Sequence, residues 1–449
     1  MSMSITGPRA DIPVPPKPSL PAKAFEFARR MADVVSSVIP RHPAYLQSYP
    51  QLQQRLAALQ QRYPNLVTVR DIGDTRDKVG GRADHDVLAL TLTNKALAGP
   101  KPRFTSTAGI HAREIANPAL LMDWAESLLA GYGTDAEATM LLDTREIDIV
   151  PMVNVDGHEH VVEGVHIGGG PSALQRRNGP LIGGVDLNRN FDWKWGSRGT
   201  SPIPIAPIYP GPRPASEPET QAVQGLLTQR KPNLFIDWHS SGRLVLHPPG
   251  DTKEPGPDHI GMQAVTRRIA LINGYQPMQA SSMYPTSGTA DDWAWGRLGV
   301  PAFAIETGGA FLPTNGEYQA SYRENAPVLN YAAKIADNPY LRAQAPDVAS
   351  LVISRAAPGA APVIEARAIG TGTTVAGAEL VFDTAAPQGS GTPLAAVDGA
   401  FGGAVEALRA ALPAAPDAAK MAYVRAQAAD GTWGPLTPQW LSPPVTARQ

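Results

Sequence analysis

RFTSTAGIHAREIANPALLMDWAESLLAGY, residues 103–132, is the stretch on which the fold turns. A short apolar run rich in Thr and small residues, 103–110, gives way at His111–Glu114 to a segment with helical apolar spacing, Asn117–Tyr132. A strand feeding straight into a helix is half of a βαβ unit. Working outward, LQQRLAALQQRY (52–63) reads as an amphipathic helix and DVLALTLT (86–93) as a strand, and the alternation continues to about Ala336. That pattern predicts an α/β domain whose mixed, largely parallel central sheet is covered by helices.

The remainder of the 449 residues divides by composition. Residues 1–44 are Pro-rich and then carry one helical pattern, Ala24–Ile39, and read as an N-terminal arm. The α/β domain is expected over 45–338, followed by a linker at 339–348 within DNPYLRAQAPD. From 349 to 445 the chain is rich in Ala, Gly, Thr and Pro, with short alternating runs such as AELVFD (378–383) and AYVRAQ (422–427) and a turn at ADGTW (429–433). This predicts a small all-β sandwich, with Tyr423 and Trp433 as core aromatics and one helical candidate near 402–412.

Composition excludes several classes. Charged residues are 18% and the formal net charge is −2, with signs mixed, which argues against an electrostatic grip on nucleic acid. With no cysteine, neither disulfides nor thiolate ligands or nucleophiles exist, so any metal must sit on His, Asp and Glu. No stretch approaches the roughly 20 apolar residues that span a bilayer, so no membrane insertion is expected. The first residues, MSMSITGPRADIPVPPKP, lack the basic start and apolar run of a signal peptide, which reads as cytoplasmic.

Four strand-like segments of the α/β domain end in reactive residues. RFTSTAGI runs into His111 and Glu114, DIVPMVN into Asp156, NLFIDW into His239, and PAFAI into Glu306. Ligands of open α/β sheets bind beyond the carboxyl ends of strands, so one crevice accounts for all four. His111 and Glu114, three apart at a strand-to-helix junction, can reach one cation, and two nitrogens with one carboxylate leave the open fourth position of a catalytic zinc.

The segments GIHAREIANPAL (109–120), NVDG (154–157), GVDLNRNF (184–191), IDWHSSGRLVLHPPG (236–250) and TSGTADDW (286–293) followed by PAFAIETGG (301–309) resemble, in order and separation, the zinc carboxypeptidases that include the pancreatic digestive enzymes. The resemblance spans roughly 45–336. It implies one Zn2+ held by His111, Glu114 and His239, with Glu306 activating the zinc-bound water and Asp186 orienting His111. It implies Arg176 as the cation that steadies the oxyanion, although Gln175 replaces the usual tryptophan and the neighbouring Arg177 could fill the role. Asn188 and Arg189 match the clamp for a terminal carboxylate, Tyr284 the tyrosine that closes over substrate, and Arg113 an arginine near the substrate channel. Asp291 matches the base of the pocket for the C-terminal side chain, where aspartate accompanies preference for Lys or Arg. It equally suits the N-terminus of the helix DDWAWGRL (291–298) on dipole grounds.

The implied activity is removal of C-terminal residues from peptides and proteins. Two alternatives keep the scaffold: a zinc amidohydrolase of cell-wall peptides or N-acyl amino acids, and a non-catalytic binding protein. Departures from the family pattern are Val155 in NVDG, Ser241 in place of a tyrosine, and the loop 158–184. The sandwich resembles immunoglobulin-like or fibronectin-like domains appended to bacterial secreted enzymes, so the resemblance implies export, against the visible N-terminus. A surface or polymer ligand of that domain stays open.

Overall fold

Inner strands of a sheet covered on both faces carry apolar side chains throughout, and the segment LFIDWHS is buried at every position. The structure, a computed structural model, describes residues 43–180, 182–355 and 361–442; the helical pattern of the arm lies outside them. Eight strands form the main sheet: β1 (Val67–Asp74), β2 (Asp86–Leu92), β3 (Arg103–Ala108), β4 (Glu146–Val150), β5 (Leu234–Ser240), β6 (Leu244–His247), β7 (Gln276–Gln279) and β8 (Ala302–Thr307). Their order is β1-β2-β4-β3-β5-β8-β6-β7, with β4, β3, β5 and β8 mutually parallel.

Ten helices accompany them among the described residues: α1 (Tyr49–Arg62), α2 (Arg76–Val79), α3 (Ala116–Gly131), α4 (Ala136–Thr144), α5 (Val155–His166), α6 (Pro218–Arg230), α7 (His259–Asn273), α8 (Ala290–Leu298), α9 (Asn315–Ile335) and α10 (Pro339–Gln344). Their boundaries follow local chemistry. Pro218 and Pro339 open α6 and α10, where the missing N–H costs nothing. A Thr314–Glu317 capping box starts α9, and Gly274 in the left-handed region ends α7. Leu120, Leu121, Leu128 and Leu129 of α3 are buried, each worth ~2 kcal/mol of removed apolar surface. The large indoles Trp124 and Trp238 are buried too, the latter donating to Ser106 Oγ at 2.8 Å.

From β3 the chain leaves for β4 on one side, whereas β5 adds on the other. The crevice beyond the carboxyl ends of β3 and β5 is therefore a topological switch point, the place where such sheets bind ligands.

The C-terminal region is two antiparallel sheets. One has the order β13 (Ala395–Ala396), β14 (Val405–Ala411), β10 (Val363–Ile369), β9 (Asp347–Ser354), and the other β12 (Thr392–Pro393), β11 (Val375–Val381), β15 (Met421–Ala428), β16 (Thr437–Trp440). Val348, Ile364, Leu380, Leu408 and Val424 share the core between them.

Two expectations are corrected here. The stretch read as a helix near 402–412 contains β14, because Glu406 and Leu408 alternate inward and the strand pairs with β10 and β13 on its two sides; pairing overrides the helix propensity of Ala, Glu and Leu. The stretch read as a linker, 339–348, is α10 and the start of β9, fastened rather than flexible: Arg342 donates to the Trp433 carbonyl at 2.8 Å.

The sandwich is docked on the α/β domain. Val381, Met421 and Tyr423 enter the large domain's core cluster, Trp440 Nε1 donates to the Thr134 carbonyl at 2.9 Å, and Lys334 pairs with Asp347 at 3.0 Å. Tyr423 thus faces the neighbouring domain rather than its own core, and Trp433 lies half-buried under the Arg425 guanidinium. A cleft of about 460 Å³ between the two is lined by Lys101 and Arg145, which precede β3 and β4. The docking surface is therefore at the opposite end of the strands from the switch point.

Candidate metal centre and substrate cleft

His111 and Glu114 occupy the turn between β3 and α3, and His239 lies near the end of β5. The turn begins at Gly109, whose φ of +68° favours a residue without Cβ and whose Cα side closely approaches Pro118 and Met152. The three side chains are buried, and one donor atom from each lies within 4.8 Å of the others. His111 Nδ1 is 2.8 Å from Glu114 Oε1, while His239 Nδ1 is 3.2 Å from His111 Nδ1 and from Glu114 Oε2. Shared protons can pair each ring nitrogen with one oxygen of Glu114, but they leave the two nitrogens facing each other at 3.2 Å as like donors. A dication satisfies them together, and this N/N/O set suits zinc with one position left open.

Each imidazole has a carboxylate behind it. Asp186 Oδ1 lies 3.2 Å from His111 Nε2 at an angle poor for hydrogen bonding, and its Oδ2 accepts from Arg176 Nε at 2.9 Å. Asp237 Oδ2 is 2.8 Å from His239 Nε2. Asp237 was not singled out by the sequence reading. The available signal was an acid inside a buried apolar strand, two residues before a histidine and hence on its face of the sheet.

Burial penalises every charge in the crevice, and neighbours decide what survives. Burial would raise the Glu114 carboxyl, but His111 and His239 hold it well below the usual range. Burial acts likewise on Asp186, and Arg176 and Arg189 overcome it. Burial also disfavours a charged His239, yet Asp237 and Glu114 raise its proton affinity well above normal. Glu306 stands opposite His239 in the β5–β8 register; burial and then the charge of Glu114 push it up to about 7, against His239 and Arg176.

The remaining residues gather around this centre. Asp186 also accepts from the Asn188 backbone at 3.1 Å and opens the short 3-10 turn Leu187–Arg189. Asn188 Oδ1 accepts from Ala290 N at 2.9 Å, and its Nδ2 lies 3.3 Å from His239 Nε2. Arg189 is buried, donating to the Gly199 and Asn188 carbonyls. Arg176 lies close enough to Glu114 and Tyr284 for their charges to act on it. Arg177 is turned away, its Nη1 donating to the carbonyls of Gly184, Pro204 and Ala206. Arg113 lies over the Phe311 ring at 4.0 Å. Tyr284 is 45% exposed. In α8, Thr289 is the cap and accepts from Asp292 N, while both Asp292 oxygens accept from Gly250 N. Asp291 is buried; burial and then the Asp237 charge raise its carboxyl, with Thr289 and His239 opposing.

An α/β sheet with a buried His/Glu/His set at its switch point and a carboxyl of raised proton affinity opposite defines a metallohydrolase. The sequence profile described as zinc carboxypeptidase matches residues 52–327, and the chain belongs to that family of zinc-dependent hydrolases. Relatives include carboxypeptidase O of Bos taurus, 29% identical over 60% of this chain and 70% of that protein, and mast cell carboxypeptidase A of Homo sapiens, 28% identical over 69% and 75%. A zinc carboxypeptidase of Saccharothrix mutabilis subsp. capreolus is 32% identical over 59% of this chain and 63% of the relative. Among solved structures, thrombin-activatable fibrinolysis inhibitor shares the fold with a TM-score of 0.60 at 24% identity, covering 70% of this chain and 81% of that one. Carboxypeptidase A of Helicoverpa armigera does so at 0.56 and 21%, covering 71% and 81%. No helix among the described residues is long and apolar enough to cross a membrane.

Proposed function

We propose that this chain is an exopeptidase that releases the last residue of peptides and proteins, favouring Lys or Arg at that end. The observation that carries the reading is the turn Asp186–Arg189: one short segment sets a carboxylate behind His111 and an amide beside His239, with the Arg189 charge close enough to act on Asp186. A zinc ion held by His111, Glu114 and His239 supplies a Lewis acid for the scissile carbonyl and acidifies water.

The chain's own groups do the rest. Glu306 is the base, accepting a proton from the attacking water at a carboxylate oxygen and returning it to the leaving nitrogen. Arg176, oriented by its bond to Asp186, meets the negative charge that develops on the carbonyl oxygen, whereas Arg177 holds backbone carbonyls. Asn188 and Arg189 bind the terminal carboxylate, a planar anion suited to a guanidinium and an amide donor. Tyr284 closes over the bound residue, and Arg113, stacked on Phe311, lines the approach.

Preference for a basic end rests on Asp291. Asp291 lies in the first turn of α8, where Thr289 and the Asp292 backbone hold its buried carboxyl, and it is crowded by the charge of Asp237. A cationic side chain would relieve that crowding, and a charged hydrogen bond there contributes about 1.5–3 kcal/mol.

The test is amino-acid release from peptides differing only in C-terminal Arg, Lys, Phe, Leu or Glu, with and without a zinc chelator. Chelator-sensitive release favouring Arg and Lys is expected. Preference for Phe or Leu would remove the role of Asp291, and no release from any peptide by zinc-loaded protein would overturn the exopeptidase reading.

A further inference from the structure

The two ligand histidines are backed unequally. Asp186 divides its carboxylate among the His111 ring, Arg176 Nε and the Asn188 backbone, and its approach to His111 is poorly aligned. Asp237 is fully buried and has two close side-chain partners: His239 Nε2 at 2.8 Å on Oδ2, and Thr107 Oγ1 donating to Oδ1 at 2.6 Å. Thr107 belongs to β3 and Asp237 to β5, adjacent positions of the parallel register across the switch point.

We infer that Asp237 is a positioning residue for the metal centre, holding the N–H of His239 on Nε2 so that Nδ1 turns its lone pair to the ion. A neutral imidazole has one N–H and one lone pair, and a carboxylate at Nε2 decides which nitrogen keeps the proton. It also fixes the ring plane, since rotating the ring to present Nε2 to the metal would abandon the 2.8 Å contact. The hydroxyl of Thr107 in turn stops the carboxylate from rotating.

The Asn188 amide approaches the same nitrogen from further away than the 2.8 Å contact of Asp237, so the carboxylate governs the proton. The Asn188 amide cannot flip, because its Oδ1 is held by Ala290 N–H at 2.9 Å; its NH2 therefore faces His239 Nε2 at 3.3 Å. Two donors do not bond, so with the proton on Nε2 the Asn188 NH2 stays available to an acceptor in the cleft. Asp237 thereby serves the metal and leaves one arm of the carboxylate clamp open.

The inference rests on the reading of His239 as a zinc ligand, and the experiment separates the two. Zinc affinity is measured by competition with a chelator on full-length wild type, Asp237→Asn, Thr107→Val and His239→Ala. Thermal unfolding of each metal-free protein is followed alongside, as is the visible spectrum of each cobalt-loaded form. Asp237→Asn is expected to weaken zinc about 10–100-fold, the usual cost of losing a partner behind a ligand, and to alter the cobalt spectrum. Thr107→Val should weaken zinc in the same direction by a smaller factor, and it decides the matter should Asp237→Asn not fold. Zinc affinity and cobalt spectra unchanged in both variants, with only metal-free stability lowered, would make Asp237 a plain core residue and overturn the inference. Unchanged affinity in His239→Ala would remove the ligand assignment and the inference with it.

Discussion

The two ends of the parallel strands use charge in opposite ways. At the amino ends, where the sandwich docks, carboxylates sit against cations: Asp337 against Arg342 at 2.6 Å, Asp347 against Lys334 at 3.0 Å, and Glu146 against Arg103 and Arg230 at 2.7 and 2.6 Å. At Glu146 burial would raise the carboxyl, yet the two arginines bring it below normal. At the carboxyl ends carboxylates crowd one another. Glu306 is pushed up to about 7 by burial and Glu114, and Asp291 and Asp292 are raised by burial and by neighbouring acids. Charge at the amino ends is satisfied within the chain, and one of the pairs, Lys334–Asp347, joins α9 to the first strand of the sandwich. Charge left in excess at a crevice suits a bound metal ion, and it is where we propose that a cationic side chain is received.

That contrast can be broken most severely at Glu306. Glu306→Gln keeps shape and removes the base, so kcat/KM is expected to fall about 10²–10⁴-fold while zinc content and the unfolding temperature hold. The wild-type pH profile sharpens the point. A base works deprotonated, so activity should fall as pH drops through its pKa; the metal ion adds positive charge and places that limb between the ordinary carboxylate value and the metal-free value of about 7. A profile without this limb, or a Gln variant near wild-type rate, would exclude Glu306 as the base.

Next in size is Asp291→Leu. Removing a charged hydrogen bond of about 1.5–3 kcal/mol should cost roughly 10–150-fold in kcat/KM for a C-terminal Arg peptide and little for Leu. Equal losses on both peptides would assign Asp291 to the frame of α8. The smallest effect belongs to the docking end. Asp347→Ala strips Lys334 of its nearest carboxylate, leaving Glu137 at 4.0 Å, and should lower stability to urea by about 1–2 kcal/mol with kcat/KM unchanged. Lost activity there would mean that the two ends are coupled.

Much of the cleft was legible because its chemistry is written locally. His111 and Glu114 lie three residues apart, Asp186 to Arg189 form one turn, and strand ends announce themselves by apolar runs that stop at a polar residue. Less was legible wherever a residue's meaning depends on a distant partner. The resemblance favoured Arg176 but left Arg177 open beside it; the carbonyls of Pro204 and Ala206, 27 and 29 residues along the chain, claim the second. Asp237, inside an apolar strand, acquires a meaning only from its neighbours Thr107 and His239. The run at 402–412 has helix formers, but β10 and β13 offered it partners on both edges.

Residue types and short spacings pointed, without any coordinates, to an α/β domain with His111 and Glu114 able to reach one cation, because ligand chemistry and helix or strand periodicity act over a few residues; the base and the carboxylate clamp were expected from the resemblance of the ordered motifs. Tertiary structure alone decided which arginine faces the crevice, which acid backs His239, and that the C-terminal sandwich docks away from the cleft. Those outcomes depend on contacts such as His111 with His239, 128 positions apart, whose geometry only the packed sheet sets.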